Sequence, residues 1–127
     1  MKLVSVLIPV YNEEATLEEI LKKLSEVNVP GCRFELIAVN DGSTDNSANI
    51  LEEAKQRYPN LRVFHQPKNM GKGAAIRRAL SEAKGDIMII QDADLEYSPD
   101  DYPLLLRPIL EGRADVVFGS RFLGGPH

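Results

Sequence analysis

Several things are scarce in this chain, and each scarcity excludes a class of protein. There is one cysteine, Cys32, and there are two histidines, His65 and His127. An internal disulfide is therefore impossible, and a cysteine-rich zinc site is excluded. A lone thiol fits a reducing compartment, and with no histidine beside it Cys32 is a poor candidate nucleophile. The histidines form no triad and no metal set; His65 stands at the end of a predicted strand and reads as structural. A basic excess is missing too. Fifteen Lys and Arg against nineteen Asp and Glu leave a net charge of −4, which argues against a protein that coats nucleic acid. Long apolar runs are absent. The longest, Val6-Leu7-Ile8-Pro9-Val10, is far short of the roughly 20 residues of a membrane span. The N-terminus meets Asn12-Glu13-Glu14 too soon to be a signal peptide. These absences lead to the expectation of a soluble, cytoplasmic chain.

What is present is an ordinary globular composition, 43% hydrophobic and 27% charged over 127 residues, which suits one domain. Near-continuous apolar segments alternate with amphipathic ones, without repeats, linkers or low-complexity stretches. Strands are predicted at Leu3–Ile8, Phe34–Val39, Leu61–Phe64 (which Pro67 keeps from extending), Asp86–Ile90 and Ala114–Phe118. Four helices lie between them. The first has Asn12 as its expected N-cap, Glu13 and Glu14 in its first turn, and the stripe Leu17, Ile20, Leu21, Leu24. The second is capped by Ser43 or Thr44 and carries Ala48, Leu51 and Tyr58. The third starts near Gly71 with Ile76, Ala79, Leu80 and Ala83 as its stripe, and Gly85 stops it. The fourth runs from about Pro99 to Glu111 with Tyr102, Leu105, Leu106 and Ile109, and is stopped by Gly112.

Strands alternating with helices predict an α/β fold: a doubly wound, mostly parallel, Rossmann-like sheet. Ligands bind such sheets at the C-terminal edge of the strands. The residues leaving the strands there are Pro9 to Glu13, Asn40-Asp41-Gly42-Ser43, Gln66 to Asn69, Asp92-Ala93-Asp94 and Gly119-Ser120-Arg121. Every exit is polar and three carry acids, whereas the opposite edge has ordinary turns such as Pro30-Gly31 and Pro59-Asn60.

Asp92-Ala93-Asp94, a DxD pattern, is the sharpest feature. Carboxylates two residues apart can converge on one ion, and without histidine or cysteine nearby they favour a hard cation, Mg²⁺ or Mn²⁺. Glu96 would supply a further oxygen. Taken alone, the three residues read better as a solvated acidic loop; their position at a strand exit favours the metal. Asp41 can accept hydrogen bonds from a base or ribose while Gly42 admits close backbone approach, or the segment is a capped turn in which Ser43 satisfies helix amides. Tyr11 can stack on a base and Glu13 can bond to its edge, or Glu13 only complements a helix dipole. Asn69-Met70-Gly71-Lys72-Gly73 looks like a phosphate loop at a helix N-terminus, yet it lacks the upstream glycine and the Ser/Thr of a Walker motif, and Ile76 breaks a dinucleotide fingerprint. Lys72 can reach a diphosphate as a point charge, or it is a solvated lysine. Arg121 is a candidate for an anionic acceptor. A strongly anionic diphosphate beside Asp92 and Asp94 makes electrostatic sense only with a divalent cation between them.

Ile8-Pro9-Val10-Tyr11-Asn12-Glu13, Val39-Asn40-Asp41-Gly42-Ser43, Asn69 to Gly73 and Asp92-Ala93-Asp94 together resemble the ordered motifs of family 2 glycosyltransferases. Asp92 to Tyr97, followed by Ala114 to Val117 and Gly119 to Phe122, is similar to the polyprenyl-phosphate, dolichyl-phosphate mannose synthase-like branch. The resemblance covers essentially the whole chain and implies a GT-A fold. By matched motif it implies that Pro9, Tyr11, Glu13, Val39 and Asp41 line a nucleotide pocket. Val10, Gly42, Ser43 and Ala93 belong to the same motifs and count with that pocket. It implies Asp92 and Asp94 as the metal-binding pair, Glu96 as a further ligand, and Arg121 facing an acceptor phosphate. Members of the family are longer, and their second half supplies acceptor contacts and often a general base. The chain ends at His127, so residues 1–127 are expected to be the donor-binding portion of a larger protein.

The expected activity is an inverting, metal-dependent transfer of a sugar from a GDP- or UDP-sugar to an acceptor, a polyprenyl (dolichyl or undecaprenyl) phosphate at the cytoplasmic face of a membrane with peripheral contact. Asp92, Asp94 and Arg121 are its catalytic candidates. Two alternatives stay open. One is a donor-binding fragment without turnover. The other is a sugar nucleotidyltransferase, which is disfavoured because Pro9-Val10-Tyr11-Asn12 stands where a Gly-rich loop would follow the first strand. A phosphoacceptor signalling domain would want its acids after the first and third strands rather than after the first, second and fourth.

Overall fold

The computed structural model describes residues 1–94 and 98–111. The predicted strand at 114–118, the Gly112 stop, Glu96 and Arg121 lie outside the described residues.

Four strands, β1 (Lys2–Val10), β2 (Cys32–Asn40), β3 (Leu61–His65) and β4 (Ile87–Ile90), form one parallel sheet in the order β3-β2-β1-β4. The register sets Val10 beside Asn40 and Leu7 beside Ile90, so the strands release their chains at one edge. The sheet is apolar on both faces, as a parallel sheet covered on both sides requires. On one face Val4, Val6, Ile8, Val10, Leu36, Ala38, Ile87 and Ile89 pack with α1 (Leu17–Ser25), α2 (Ser47–Arg57) and α4 (Tyr102–Leu110, preceded by a 3₁₀ turn at Pro99–Asp101). On the other, Leu7, Ile37 and Val39 pack with α3 (Lys72–Glu82). The chain winds outward from β1 through β2 to β3, then returns to place β4 on the other side of β1. The direction of winding therefore switches between β1 and β4, where open α/β sheets bind ligands.

The first helix is legible in its sequence. Leu17, Ile20, Leu21 and Leu24 are all buried, each worth about 1.5–3 kcal/mol relative to exposure, and Glu18, Glu19, Lys22 and Lys23 complement the dipole at its two ends. The predicted helix starts need correction. Asn12 does not cap α1; it sits at φ 52°, and the N-cap is Thr16. Neither Ser43 nor Thr44 caps α2, whose N-cap is Asn46. The buried residues of α2 are Ser47, Ile50, Leu51 and Ala54; of the three expected residues Leu51 is among them, Tyr58 packs half-buried against the same core, and Ala48 is only half-buried. In α3 the sheet selects Ala75 and Ala79, small residues that bring the helix close, while Leu80 is 49% exposed. Gly85 does not close α3 with a left-handed turn. It lies against β1, where a Cβ would stand 2.4 Å from Ser5 Oγ and 2.7 Å from the Leu3 carbonyl oxygen. Cys32 opens β2, and burial pushes its thiol pKa up, which keeps it protonated. No helix among the described residues is long and apolar enough to cross a membrane.

Candidate functional site

At the switch point the exits of β1 and β4 and the loop before α3 enclose a cleft of about 240 Å³. That is below the roughly 300–1,000 Å³ of typical small-molecule sites. Its walls are Pro9, Val10, Tyr11 and Glu13 from β1, Asp92, Ala93 and Asp94 from β4, and Asp41, Asn69, Gly71, Lys72 and Ala75 from the third side. The structure thus brings together most of the residues singled out in the sequence. It does not bring in Val39, which is fully buried against α3, nor Gly42 and Ser43, which stand behind the wall.

Each wall is held by contacts distant in sequence. After β1 the chain turns at Asn12, whose side-chain oxygen accepts from the Thr44 and Asp45 backbone N–H groups at 2.8 and 3.3 Å. Ser43 Oγ accepts from the Asn12 N–H at 3.0 Å, and Ser47 Oγ from the Glu13 N–H at 2.9 Å. The polar residues that look like helix caps therefore lace the β1 and β2 exits together and fix Tyr11 and Glu13 at the rim. His65 is structural, as expected: Nδ1 pairs with Asn40 Nδ2 at 3.0 Å and Nε2 with Glu52 Oε2 at 2.8 Å.

Asp41 is 3% exposed. Its two carboxylate oxygens accept from the Met70 and Gly71 N–H groups at 2.8 and 2.9 Å. Rather than reaching out to a base or ribose with both oxygens, it pins the loop that carries Lys72. Gly42 serves the same loop. A Cβ there would lie 2.4 Å from both the Lys68 carbonyl carbon and the Asn69 nitrogen, so the close approach it permits is to the protein's own backbone.

The acid pair is positioned from three directions. Gln91, fully buried, donates its N–H to the Leu7 carbonyl at 2.9 Å and its side-chain amide to the Asp92 carbonyl at 3.1 Å. The buried Tyr102 hydroxyl donates to Gln91 Oε1 at 2.8 Å, and burial raises its pKa far out of the working range. Thr16 Oγ1 donates to the Ala93 carbonyl at 2.5 Å, tying the start of α1 to the turn. Sequence reasoning gave no site role to Thr16, Gln91 or Tyr102; the signal available was a hydroxyl-bearing Tyr102 in the apolar stripe of the fourth helix, which needs a buried polar partner.

The cleft is electronegative. Burial, then the Asp94 and Asp92 charges, raise the Glu13 pKa above its ordinary value, while Lys72 pulls it down. Lys72 Nζ stands 2.5 Å from Asp92 Oδ1, so the lysine considered for a diphosphate forms an ion pair with one member of the acid pair. No group of three or more His, Cys, Asp or Glu side chains able to hold a metal occurs among the described residues. Asp92 and Asp94 both line the cleft, and a cation there would find two carboxylates. All-oxygen donors and a field that favours positive charge fit Mg²⁺ or Mn²⁺; a hard cation of this kind fills the rest of its shell from substrate phosphate and water.

The sequence model of glycosyl transferase family 2 matches residues 5–127. The chain belongs to that family. It is 35% identical over 122 residues to the dolichol-phosphate mannosyltransferase of Pyrococcus furiosus, covering 96% of this chain and 34% of that enzyme. It is 42% identical over 120 residues to the undecaprenyl-phosphate 4-deoxy-4-formamido-L-arabinose transferase of Edwardsiella ictaluri, covering 92% of this chain and 36% of that protein. The family 2 chain thus spans about a third of the length of these curated relatives. Among solved structures, it is similar to the mannosyltransferase of Pyrobaculum calidifontis in complex with GDP-Man and Mn²⁺, with a TM-score of 0.66 and 33% identity over 72% of this chain and 27% of that one. The expected α/β fold of GT-A type is the fold found, and the resemblance to the polyprenyl-phosphate branch is met by the names of these relatives.

Proposed function

We propose that the chain is the donor-binding portion of a metal-dependent, inverting glycosyltransferase that moves a sugar from a nucleotide diphosphate to a polyprenyl phosphate at the cytoplasmic face of a membrane. The observation that carries this reading is the placement of Asp92 and Asp94 in one cleft with Tyr11, Glu13 and Lys72, at the switch point of the sheet. Tyr11, 43% exposed at the rim, offers its ring to a base. Asp92 and Asp94 would hold Mg²⁺ or Mn²⁺. When bound, that cation neutralises the diphosphate and stabilises it as a leaving group. Glu96 and Arg121 keep the roles of further ligand and acceptor-phosphate contact by matched motif. The relatives named for dolichol phosphate and undecaprenyl phosphate, and the neighbour solved with GDP-Man and Mn²⁺, support the same reading.

In the reaction a phosphate oxygen of the acceptor bonds to the anomeric carbon, the carbon–oxygen bond to the diphosphate breaks, and nucleoside diphosphate departs. A phosphate monoester has a second pKa near 6, so the nucleophile is already anionic at neutral pH and no general base is required. The chain contributes alignment and charge stabilisation. The test is transfer of radiolabelled sugar from GDP- and UDP-sugars to a polyprenyl phosphate in vesicles, by the full-length protein. Transfer that stops on metal chelation and returns with Mn²⁺ is expected. Transfer indifferent to chelation, or none with any donor by a folded protein, contradicts the proposal.

A further inference from the structure

We propose that Lys72 is the resident counter-ion of the acidic cleft: its ammonium occupies Asp92 before the divalent cation binds, and it is released to the diphosphate when the cation takes that carboxylate. The inference rests on the metal-binding reading of Asp92 and Asp94 given above.

The geometry makes the two cations competitors. Nζ lies 2.5 Å from Asp92 Oδ1, and Mg²⁺ would need its ligand oxygen at about 2.0–2.1 Å. An ammonium and a dication cannot both sit against one oxygen without strong repulsion. The two side chains also differ in freedom. The Asp92 side chain is 14% exposed and that of Lys72 is 56% exposed, so the carboxylate is the fixed member and the ammonium reaches in from solvent. A lysine suits this exchange because it is a compact charge on a flexible stem, able to let go without disturbing its backbone. That backbone is pinned, because Asp41 binds the Met70 and Gly71 N–H groups immediately before it. The flanking Gly71 and Gly73 carry no side chain to obstruct the swing.

Before loading, the exchange solves a physical problem. The cleft gathers the carboxylates of Glu13, Asp92 and Asp94, and partly desolvated like charges are costly without a counter-charge. Lys72 supplies one. The consequence is coupling: the metal alone must displace Lys72, whereas a diphosphate both ligates the metal and draws the ammonium away. Metal and nucleotide then bind more cooperatively than metal ligation alone would produce.

The test is Mn²⁺ binding to the full-length protein without nucleotide, followed by electron paramagnetic resonance, for wild type, Lys72→Gln, Lys72→Arg and the control Lys68→Gln. Lys72→Gln is expected to bind Mn²⁺ alone about fivefold more tightly, the factor for a half-exposed ion pair worth about 1 kcal/mol. It should bind GDP or UDP in the presence of Mn²⁺ several-fold more weakly. Lys72→Arg should stay near wild type. Lys68→Gln removes the same charge from an exposed position outside the cleft and should change little. Unchanged or weaker Mn²⁺ binding in Lys72→Gln overturns the exchange while leaving the metal site standing, and so does an equal gain in Lys68→Gln. Absence of Mn²⁺ binding in every protein, with nucleotide present or not, removes the metal reading itself and the exchange with it.

Discussion

Replacing Gly42 by alanine isolates what holds the Lys72 loop in place. Gly42 lies at φ 70°, and a Cβ there would stand 2.4 Å from the Lys68 carbonyl carbon, 2.4 Å from the Asn69 nitrogen and 2.9 Å from Lys68 Cα. All three are backbone atoms, so no side chain can rotate away and the 66–71 loop must shift. Two costs add: about 1–2 kcal/mol for a left-handed non-glycine residue, and about 1–3 kcal/mol for overpacking. The expected loss is about 2–5 kcal/mol. Gly31 provides the control, because it has φ 86° with nothing within 4 Å of its Cβ; Gly31→Ala should cost only the conformational part, roughly 1–2 kcal/mol. Urea unfolding of wild type and both variants measures the difference. The displaced loop should also loosen the Asp41 bonds to Met70 and Gly71 and weaken nucleotide binding in Gly42→Ala alone. If Gly42→Ala costs no more than Gly31→Ala, the close packing of this loop against the β2 exit is not what glycine serves there.

Two further substitutions probe the cleft. Glu13 has a raised pKa in the folded state, chiefly through burial and then through Asp94 and Asp92, so the fold binds its proton more tightly than the unfolded chain does. The stability this confers is fully present below the ordinary value of 4.5 and is lost as pH rises through the raised value. Glu13→Gln should therefore raise the melting temperature at pH 7, show no gain below the ordinary carboxylate range, and show a smaller gain when Mn²⁺ is added; a variant no more stable than wild type at pH 7 would refute the electrostatic reading. Tyr102→Phe keeps the ring packed against Phe34, 6.2 Å between centroids, but removes the hydroxyl that holds Gln91. A loss of about 0.5–1.5 kcal/mol is expected by urea unfolding, and an unchanged midpoint would show that this bond contributes nothing.

The parts of the fold legible in the sequence were those set by local apolar pattern. All four strands among the described residues lie where near-continuous runs such as Leu36-Ile37-Ala38-Val39 predict them, and α1 follows its stripe residue for residue. Alternation of strand and helix then placed the exits of β1 and β4 side by side, which is why Tyr11, Glu13, Asp92 and Asp94 meet. What local pattern does not carry is which distant backbone group a polar side chain will satisfy. Asn12, Ser43 and Ser47 have the chemistry of caps, yet they bond across two loops. Asp41 has the chemistry of a ligand contact, yet both its oxygens bond to main-chain groups far along the chain, at Met70 and Gly71. The stripe of α3 misleads for a related reason: the sheet needs small residues at the contact, so Ala75 and Ala79 turn inward and Leu80 outward. The pairing of Lys72 with Asp92 depends on a crossover that brings the start of α3 to the end of β4, and no spacing in the chain announces it.

The central claim is that Asp92 and Asp94 grip a divalent cation that holds the donor diphosphate at the edge of the sheet. Calorimetric titration of the full-length protein and of Asp94→Ala with GDP and UDP, each with and without Mn²⁺, tests it most directly. Tight binding is predicted to require Mn²⁺, and Asp94→Ala is predicted to lose affinity only when Mn²⁺ is present. Metal-independent binding by the wild type, or an equal loss in the variant under both conditions, would contradict it.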